Sequence, residues 1–171
     1  MTPRSCIITL TVAFCLTADF TSFGQFQIKE VGQASKNFQV DTSKTAVIPF
    51  NKNGNYPFDN SFNPTTLTQD DFCTIDSLFI ACVTDFNKSL TKNNKEKSID
   101  LEKYEYFKQI IAVESKKGEK EVWINCFCYT WDNISWKKEI LMVQDGGNCY
   151  FNFKINLSTR VFYNLIVNGV A

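Results

Sequence analysis

The chain has 171 residues, which is about the size of one domain, and its 18 basic and 18 acidic residues give a formal net charge of zero. A balanced charge argues against a nucleic acid or an anionic membrane surface as partner, because both bind proteins through an excess of Lys and Arg. The chain has no histidine, which excludes a Ser-His-Asp triad, a Cys-His pair and any imidazole metal site. The missing histidine argues against an enzyme, and no pattern in the sequence predicts a metal site or a cofactor.

Residues 1–24 are predicted to be a signal peptide. Arg4 precedes an apolar run from Cys6 to Ala18, and Ser22-Phe23-Gly24 offers small residues at the positions that a signal peptidase reads. The run is too short to anchor the chain in a bilayer. The alternative interpretation is a buried N-terminal strand. We expect export to a secreted or periplasmic location, with no membrane span after signal removal.

Residues 25–66 are predicted to be an extended and loop segment. The part from Asn51 to Pro64 is rich in Asn, Gly and Pro, which is typical of a loop. Residues 45–50 are a candidate edge strand.

A helix and a sheet are predicted to form the domain of residues 67–171. Thr68 is a predicted N-cap, and Asp71 three residues later completes a pattern like a capping box. Apolar residues then recur at helical spacing, namely Phe72, Ile75, Phe79, Cys82 and Phe86. This stripe should lie on the apolar face of the sheet.

The stretch 104–169 is predicted to be a four-stranded antiparallel meander. Apolar residues alternate in 106–114, 121–131, 149–157 and 161–167, with Leu141 and Val143 between the second and third of these segments. The predicted loops include Lys117-Gly118 and Ser158-Thr159-Arg160. The fold class is therefore α+β, with one long helix on this sheet.

The predicted loop lengths fix a register. A two-residue loop at Lys117-Gly118 sets Ile111 opposite Ile124, and the other loops complete an apolar row: Ile111, Ile124, Val143, Phe151 and Val167. A slip of one residue would turn a strand's apolar set to the opposite face. We predict that Phe151 and Phe153 face the helix and meet Phe79 and Cys82.

Five cysteines remain after removal of the signal peptide, namely Cys73, Cys82, Cys126, Cys128 and Cys149. An odd number leaves at least one thiol unpaired or paired to another chain. Cys126 and Cys128 point the same way along one strand, at or beyond the usual span of a disulfide. They are interpreted as apolar core residues, with a redox or metal role as the alternative. A bridge from Cys82 to Cys126 or Cys128 is the disulfide that we expect.

Three polar residues define a candidate ligand pocket. Gln109 and Glu139 interrupt the predicted apolar face, and Tyr163 falls in the row of Glu139. Such a cluster in a concavity between helix and sheet could bind a small molecule. The alternative is that Glu139 lies near the sheet end, in solvent.

The other sheet face carries an unusual number of aromatic residues. A candidate interaction surface comprises Tyr104, Trp123, Tyr129, Trp131 and Trp136. A monomer rarely leaves so much apolar surface bare. Either residues 26–50 cover this face, or it receives a partner: a second copy in a homodimer, another protein, or a carbohydrate stacked on the tryptophans.

One capped helix followed by an antiparallel meander, behind a signal peptide, resembles the cystatin-like and NTF2-like α+β superfolds over residues 67–169. The resemblance is one of architecture, because the Gln-x-Val-x-Gly loop of cystatin protease inhibitors is absent, and no functional residue is carried over. The chain also looks like small exported bacterial proteins of this shape. Export, the missing histidines and the aromatic excess favour a non-enzymatic binding or interaction module. The NTF2-like resemblance implies an alternative, a small-molecule-binding protein or enzyme with a pocket between helix and sheet.

Overall fold

The computed structural model describes residues 39–54, 56–130 and 135–169. Within these ranges one long helix packs on one face of a mixed sheet, so the predicted α+β class with a single long helix is confirmed. The predicted signal peptide and residues 25–38 lie outside the described residues.

Helix α1 spans Gln69–Ser89 and begins as the sequence predicts. Asp71 N donates to Thr68 Oγ1 at 3.2 Å, and Thr68 N donates to Asp71 Oδ2 at 2.8 Å. These reciprocal bonds satisfy two backbone donors that a helix start leaves free. The buried face of α1 consists of Ile75, Leu78, Phe79, Cys82 and Val83.

The sheet contains six strands, and it is mixed rather than purely antiparallel. The strands are β1 Thr45–Val47, β2 Asn63–Pro64, β3 Phe107–Glu114, β4 Lys120–Phe127, β5 Tyr150–Asn156 and β6 Val161–Val167. Their order is β1-β3-β4-β5-β6, with β2 also on β3. The antiparallel meander comprises β3 to β6, while β1 pairs with β3 in parallel. The candidate strand at 45–50 is confirmed as β1, whereas β2 lies in a segment predicted to be a loop.

The predicted register between β3 and β4 is wrong by one residue. Ile110, not Ile111, lies opposite Ile124. Ser115 N donates to Glu119 O at 2.8 Å, so the loop has three residues rather than two, and Gly118 takes a positive φ of 78° within it. A three-residue loop with Gly in the left-handed region shifts the partner strand by one position. Ile111 therefore faces away from α1.

The segment around Leu141 and Val143 does not form a strand between β4 and β5. These two strands pair directly, with Phe153 opposite Ile124. The predicted position of Val143 in the register is therefore wrong. The predicted contacts of β5 with the helix are confirmed, because the Phe79 ring lies 6.1 Å from that of Phe151 and 6.0 Å from that of Phe153. Cys82 belongs to the same core.

Strand β6 has an irregularity that divides its side chains between the two faces. Phe151 lies opposite Val167, as predicted, but the register shifts between Asn152 and Lys154, where Asn164 takes a φ of 54°. Leu165, Val167 and Phe162 pack against the helix-side core. A bulge turns the following side chains to the opposite face. Tyr163 therefore lies on the outer face, opposite Lys154, and not on the predicted inner face.

A second core covers part of the outer sheet face. It consists of Ala46, Ile48, Phe50, Phe58, Ile111, Val113 and Trp123. Phe50, Phe58 and part-buried Phe62 thus lie over β3 and β4, so this part of the predicted aromatic face is covered rather than bare. The predicted cover was 26–50, of which residues 26–38 lie outside the described ranges.

Candidate functional site

Gln109 is a structural residue at the centre of a hydrogen-bond network. Its side chain is fully buried. Its Nε2 donates to the backbone oxygens of Trp136 and Glu139, and its Oε1 accepts from Asn125 Nδ2 at 3.0 Å and from Leu141 N at 2.9 Å. An amide side chain with this many partners has little capacity left for a ligand. Gln109 therefore ties the segment 136–141 to the outer face of β3 and β4.

The three side chains predicted to line a pocket do not converge. Glu139 meets Gln109 through its backbone oxygen, while its own side chain is exposed. Tyr163 lies on β6, three strands away from Gln109 on β3, which is about 14 Å at the usual strand spacing. The Tyr163 hydroxyl donates to Glu121 Oε2 instead.

The residues of the predicted aromatic interaction surface have different environments. Trp123 is only 2% exposed. Trp136 is half-buried between the rings of Phe107 and Phe127, and half-buried Tyr104 packs edge-on against Tyr106. Tyr129 is 68% exposed. Trp131 lies outside the described residues.

The structure pairs Cys128 with Cys149, across a Cα–Cα distance of 5.2 Å. The expected bridge from Cys82 is therefore wrong, and Cys82 and Cys126 are free thiols in the helix-side core. Burial raises the pKa of Cys82 to about 12, and it also raises the pKa of Cys126. A thiol that stays protonated is a poor nucleophile and metal ligand. Across the described part of the chain, no group of three or more His, Cys, Asp or Glu side chains is placed to hold a metal ion.

Among the described residues, the outer face of β5 and β6 is the part of the sheet that the cover formed by Phe50, Phe58 and Phe62 leaves accessible. We call it the open surface, and it consists of Asn152 and Lys154 on β5 with Val161, Tyr163 and Ile166 on β6. Val161 is 53% and Ile166 is 58% exposed. Both side chains belong to an apolar strand, and neither joins the two core clusters that the described residues form.

A short segment borders the open surface at one end. Leu141 O accepts from Asn125 Nδ2 at 2.9 Å, and Val143 O accepts from Asn168 Nδ2. Residues 141–143 therefore cross the outer face from β4 towards the end of β6. Met142 lies between these two anchors and is 68% exposed, which extends the apolar character of this region.

The polar groups of the open surface are engaged with one another and with the cover. Lys154 Nζ lies 4.3 Å from the centroid of the Phe58 ring. Burial lowers the pKa of Lys154, while Glu121 and Asp59 act in the opposite direction. Burial, together with the hydrogen bond to Glu121, raises the pKa of Tyr163. The hydrogen bond from Tyr163 to Glu121 and the contact of Lys154 with Phe58 hold these side chains in place on the surface.

A groove of about 190 Å³ lies between the N-terminal half of α1 and the β1–β3 edge. Its apolar lining includes Phe72, Ile75 and Ile110, and Lys108 Nζ lies there, 2.9 Å from Asp76 Oδ1. Pockets for drug-sized ligands are usually larger, at about 300–1,000 Å³. None of the three predicted pocket residues lines this groove.

Comparisons with protein-family models, curated proteins and solved structures found no match. The case for a function therefore depends on the geometry of this chain alone. Within the described residues, no helix is both long enough and apolar enough to cross a membrane.

Sequence reasoning identified part of the outer face but not the open surface within it. The alternation predicted that Ile166 faces outward, whereas it placed Val161 and Tyr163 on the helix side. The missing signal was the bulge at Asn164, and Asn is one of the few residues that enter the left-handed region readily. An Asn within an otherwise apolar strand was the cue available in the sequence.

Proposed function

We propose that the protein is an exported, non-enzymatic interaction module that binds another protein through the open surface. The observation that carries this proposal is the exposure of Val161 and Ile166 on either side of Tyr163 on the outer face of β6, while a core covers the other half of the same sheet face. Exposed apolar side chains grouped on one face commonly mark interaction sites. Removing them from water on binding contributes about 25 cal/mol per Å².

A protein is a better candidate partner than a carbohydrate. Sugar binding was expected to use stacking on the tryptophans, but Trp123 has almost no accessible surface, with Tyr56 packed edge-on against it at 5.3 Å. The exposed side chains of the open surface on β6, Val161 and Ile166, are aliphatic. Aliphatic side chains complement the apolar core of a protein interface.

The proposal of a non-enzymatic role rests on the engaged state of the polar groups. Tyr163 is bound to Glu121, Gln109 has its hydrogen bonds satisfied, and the thiols of Cys82 and Cys126 are buried. A general base or nucleophile must be accessible to a substrate and have a suitable pKa. These residues do not meet that requirement.

Photo-crosslinking tests the proposed binding surface. A photoreactive amino acid would replace Ile166 in cells that produce the full chain, and the control would carry it at Ile80 on α1, which is also 58% exposed. We expect intermolecular adducts from position 166 that are absent from position 80, identified by mass spectrometry. Equal adducts from both positions, or none from 166, would contradict the proposal.

Export is tested separately. Intact mass of the protein from the medium or the periplasm should correspond to a chain that begins near Gln25, because the predicted cleavage follows Gly24. Recovery of the full-length chain from the cytoplasm alone would contradict export.

The second candidate function is small-molecule binding in the groove beside α1, as the NTF2-like resemblance implies. Its support is the combination of the apolar Phe72 and Ile75 with Lys108 and Asp76 in one concavity. Native mass spectrometry of the purified protein would detect a bound molecule as added mass. That mass should disappear on substitution of Ile75 by Trp, which fills the groove, and its persistence would contradict binding there.

A further inference from the structure

Strand β6 forms one end of the sheet. Among the described residues it pairs with β5 alone. Asn168 N donates to Tyr150 O at 2.9 Å, so the backbone groups of Asn168 point towards β5. Because this direction alternates along an antiparallel strand, the groups of Ile166 also point towards β5, whereas those of Leu165 and Val167 point away.

The sequence of β6 does little to prevent pairing with another strand. Natural edge strands are commonly protected by charged residues, proline or bulges. Residues 161–167 read Val-Phe-Tyr-Asn-Leu-Ile-Val and contain no charge and no proline. The bulge at Asn164 interrupts the edge, but Ile166 and Val167 beyond it pair in regular register with Asn152 and Phe151.

We propose that this edge pairs with β6 of a second copy of the same chain, antiparallel, about a two-fold axis that passes beside Ile166. The inference rests on the proposed function, since it names the partner of the open surface. Leu165 of one copy then lies opposite Val167 of the other, and each Ile166 lies opposite its counterpart. The sheets of the two copies become one continuous sheet.

The backbone directions select this register. The N–H and C=O groups of Leu165 and Val167 point outward. Leu165 of one copy can therefore exchange hydrogen bonds with Val167 of the other copy across the axis. The two Ile166 residues form a pair without hydrogen bonds, in which Cα atoms are about 4.5 Å apart and side chains contact closely. In a register shifted by one residue, the backbone groups that point outward from one copy would lie opposite groups of the other copy that point back towards its own β5.

A second copy fits this edge because the interface is self-complementary. A two-fold interface presents the same patch on both sides, and an edge with both donors and acceptors satisfies that condition. Ile166, at 58% exposure, lies at the centre and would be covered by an identical apolar side chain. The net charge of zero removes the bulk repulsion that keeps highly charged copies apart.

Cysteine crosslinking tests the register. Cys73 is a partly exposed free thiol, so Ile166→Cys and the control Ile80→Cys are both made in a Cys73→Ser background. The purified full chain is treated with a mild oxidant and analysed on non-reducing gels. We expect a covalent dimer from Ile166→Cys and mostly monomer from Ile80→Cys. Equal dimer fractions, or no dimer from Ile166→Cys, would overturn the inference.

A charge substitution tests the same interface without a covalent bond. Ile166→Lys places two ammonium groups opposite each other at the axis, which should raise the dimer dissociation constant at least about tenfold. Ile80→Lys should leave it unchanged. Light scattering coupled to size exclusion measures the mass, and thermal unfolding of each variant verifies that it is folded.

The outcomes separate this inference from the proposed function. A wild-type protein that is monomeric at all concentrations overturns the second copy as partner. Photo-crosslinks from position 166 to a different protein would still support the open surface as a binding site. A wild-type protein that stays monomeric and also gives no photo-crosslinks from position 166 would overturn both proposals.

Discussion

The backbone N–H of Leu141 donates to Oε1 of Gln109 at 2.9 Å, and this bond joins two parts of the chain that are 32 residues apart. Leu141 is buried over the outer sheet face although its segment pairs with no strand among the described residues. The Gln109 side chain takes the place of that partner, because an amide can both donate to and accept from backbone groups. The position of segment 136–141 on the outer face thus depends on the buried Gln109 side chain and its neighbour Asn125.

Replacement of Gln109 by Ala should destabilise the protein. It leaves the buried Leu141 N without its partner, and a buried polar group that is left unsatisfied costs about 1–3 kcal/mol. The part-buried oxygens of Trp136 and Glu139 lose the same partner. The free energy of unfolding from urea titration measures the loss. The matched control is Gln144→Ala, at an exposed position. Equal effects of the two substitutions would show that the network contributes nothing.

Replacement of Phe153 by Ala should cost about 3–5 kcal/mol of stability, because the side chain is fully buried between β4, β6 and α1. Asn152→Ala should cost less, about 1 kcal/mol, through loss of the 3.1 Å hydrogen bond from Trp123 Nε1 to Asn152 Oδ1. Thermal and urea unfolding midpoints compare the two variants. A larger loss for Asn152→Ala would mean that the helix packs on the other face.

Reduction of the Cys128–Cys149 disulfide should destabilise the protein without removing its fold. The bridge closes a loop with a sequence separation of 21, and the chain-entropy relation gives about 3 kcal/mol for a loop of this size. Cys128 N also donates to Cys149 O at 3.1 Å, so the strand ends remain paired after reduction. Unfolding midpoints with and without reductant test this, with the Cys128→Ser/Cys149→Ser variant as the control that should not respond.

Thiol labelling should distinguish the free cysteines. Cys73 is partly exposed and should react with iodoacetamide in the native protein at about pH 8. Cys82 and Cys126 are buried with raised pKa values, so little of either thiol is ionised, and they should react only after unfolding. Mass spectrometry of labelled peptides reads each site. Fast labelling of Cys126 in the native protein would support a reactive role for this thiol.

Asp71 should make stability depend on pH in the acidic range. Burial opposes its ionisation, but hydrogen bonds from Lys120, at 2.7 Å, and Thr68 outweigh this effect and hold the pKa below the ordinary 3.8. Since the pKa is lower in the folded state, the contribution is fully present above the unfolded pKa and is lost as pH falls through the folded pKa. Asp71→Asn should therefore flatten the fall in unfolding midpoint between about pH 5 and pH 2.

The control for this pH dependence is Asp70→Asn, at the neighbouring exposed position. It should keep the acid response of the wild type. An unchanged response in Asp71→Asn would assign the acid sensitivity to other carboxyl groups.

The local parts of the fold could be predicted because their causes lie within a few residues. The start of α1 follows from Thr68 and Asp71, which bond each other directly. The inward direction of Phe151 and Phe153 follows from the two-residue period of an extended strand. In these cases the interacting groups are neighbours in the chain, so the sequence alone determines them.

The register and the candidate site were decided by the tertiary structure. Gly118 adds one residue to a loop and Asn164 inserts a bulge, and each turns neighbouring side chains to the other face, because the side-chain period of a strand is two. The cover over Trp123 comes from Phe50, Tyr56 and Phe58, and the anchor of Leu141 comes from Gln109. The sequence by itself determined the start of α1 and the face of the sheet to which the apolar side chains of β5 point. The open surface exists only because distant segments cover the rest of the same face, and contacts between distant segments leave no periodic pattern in the chain.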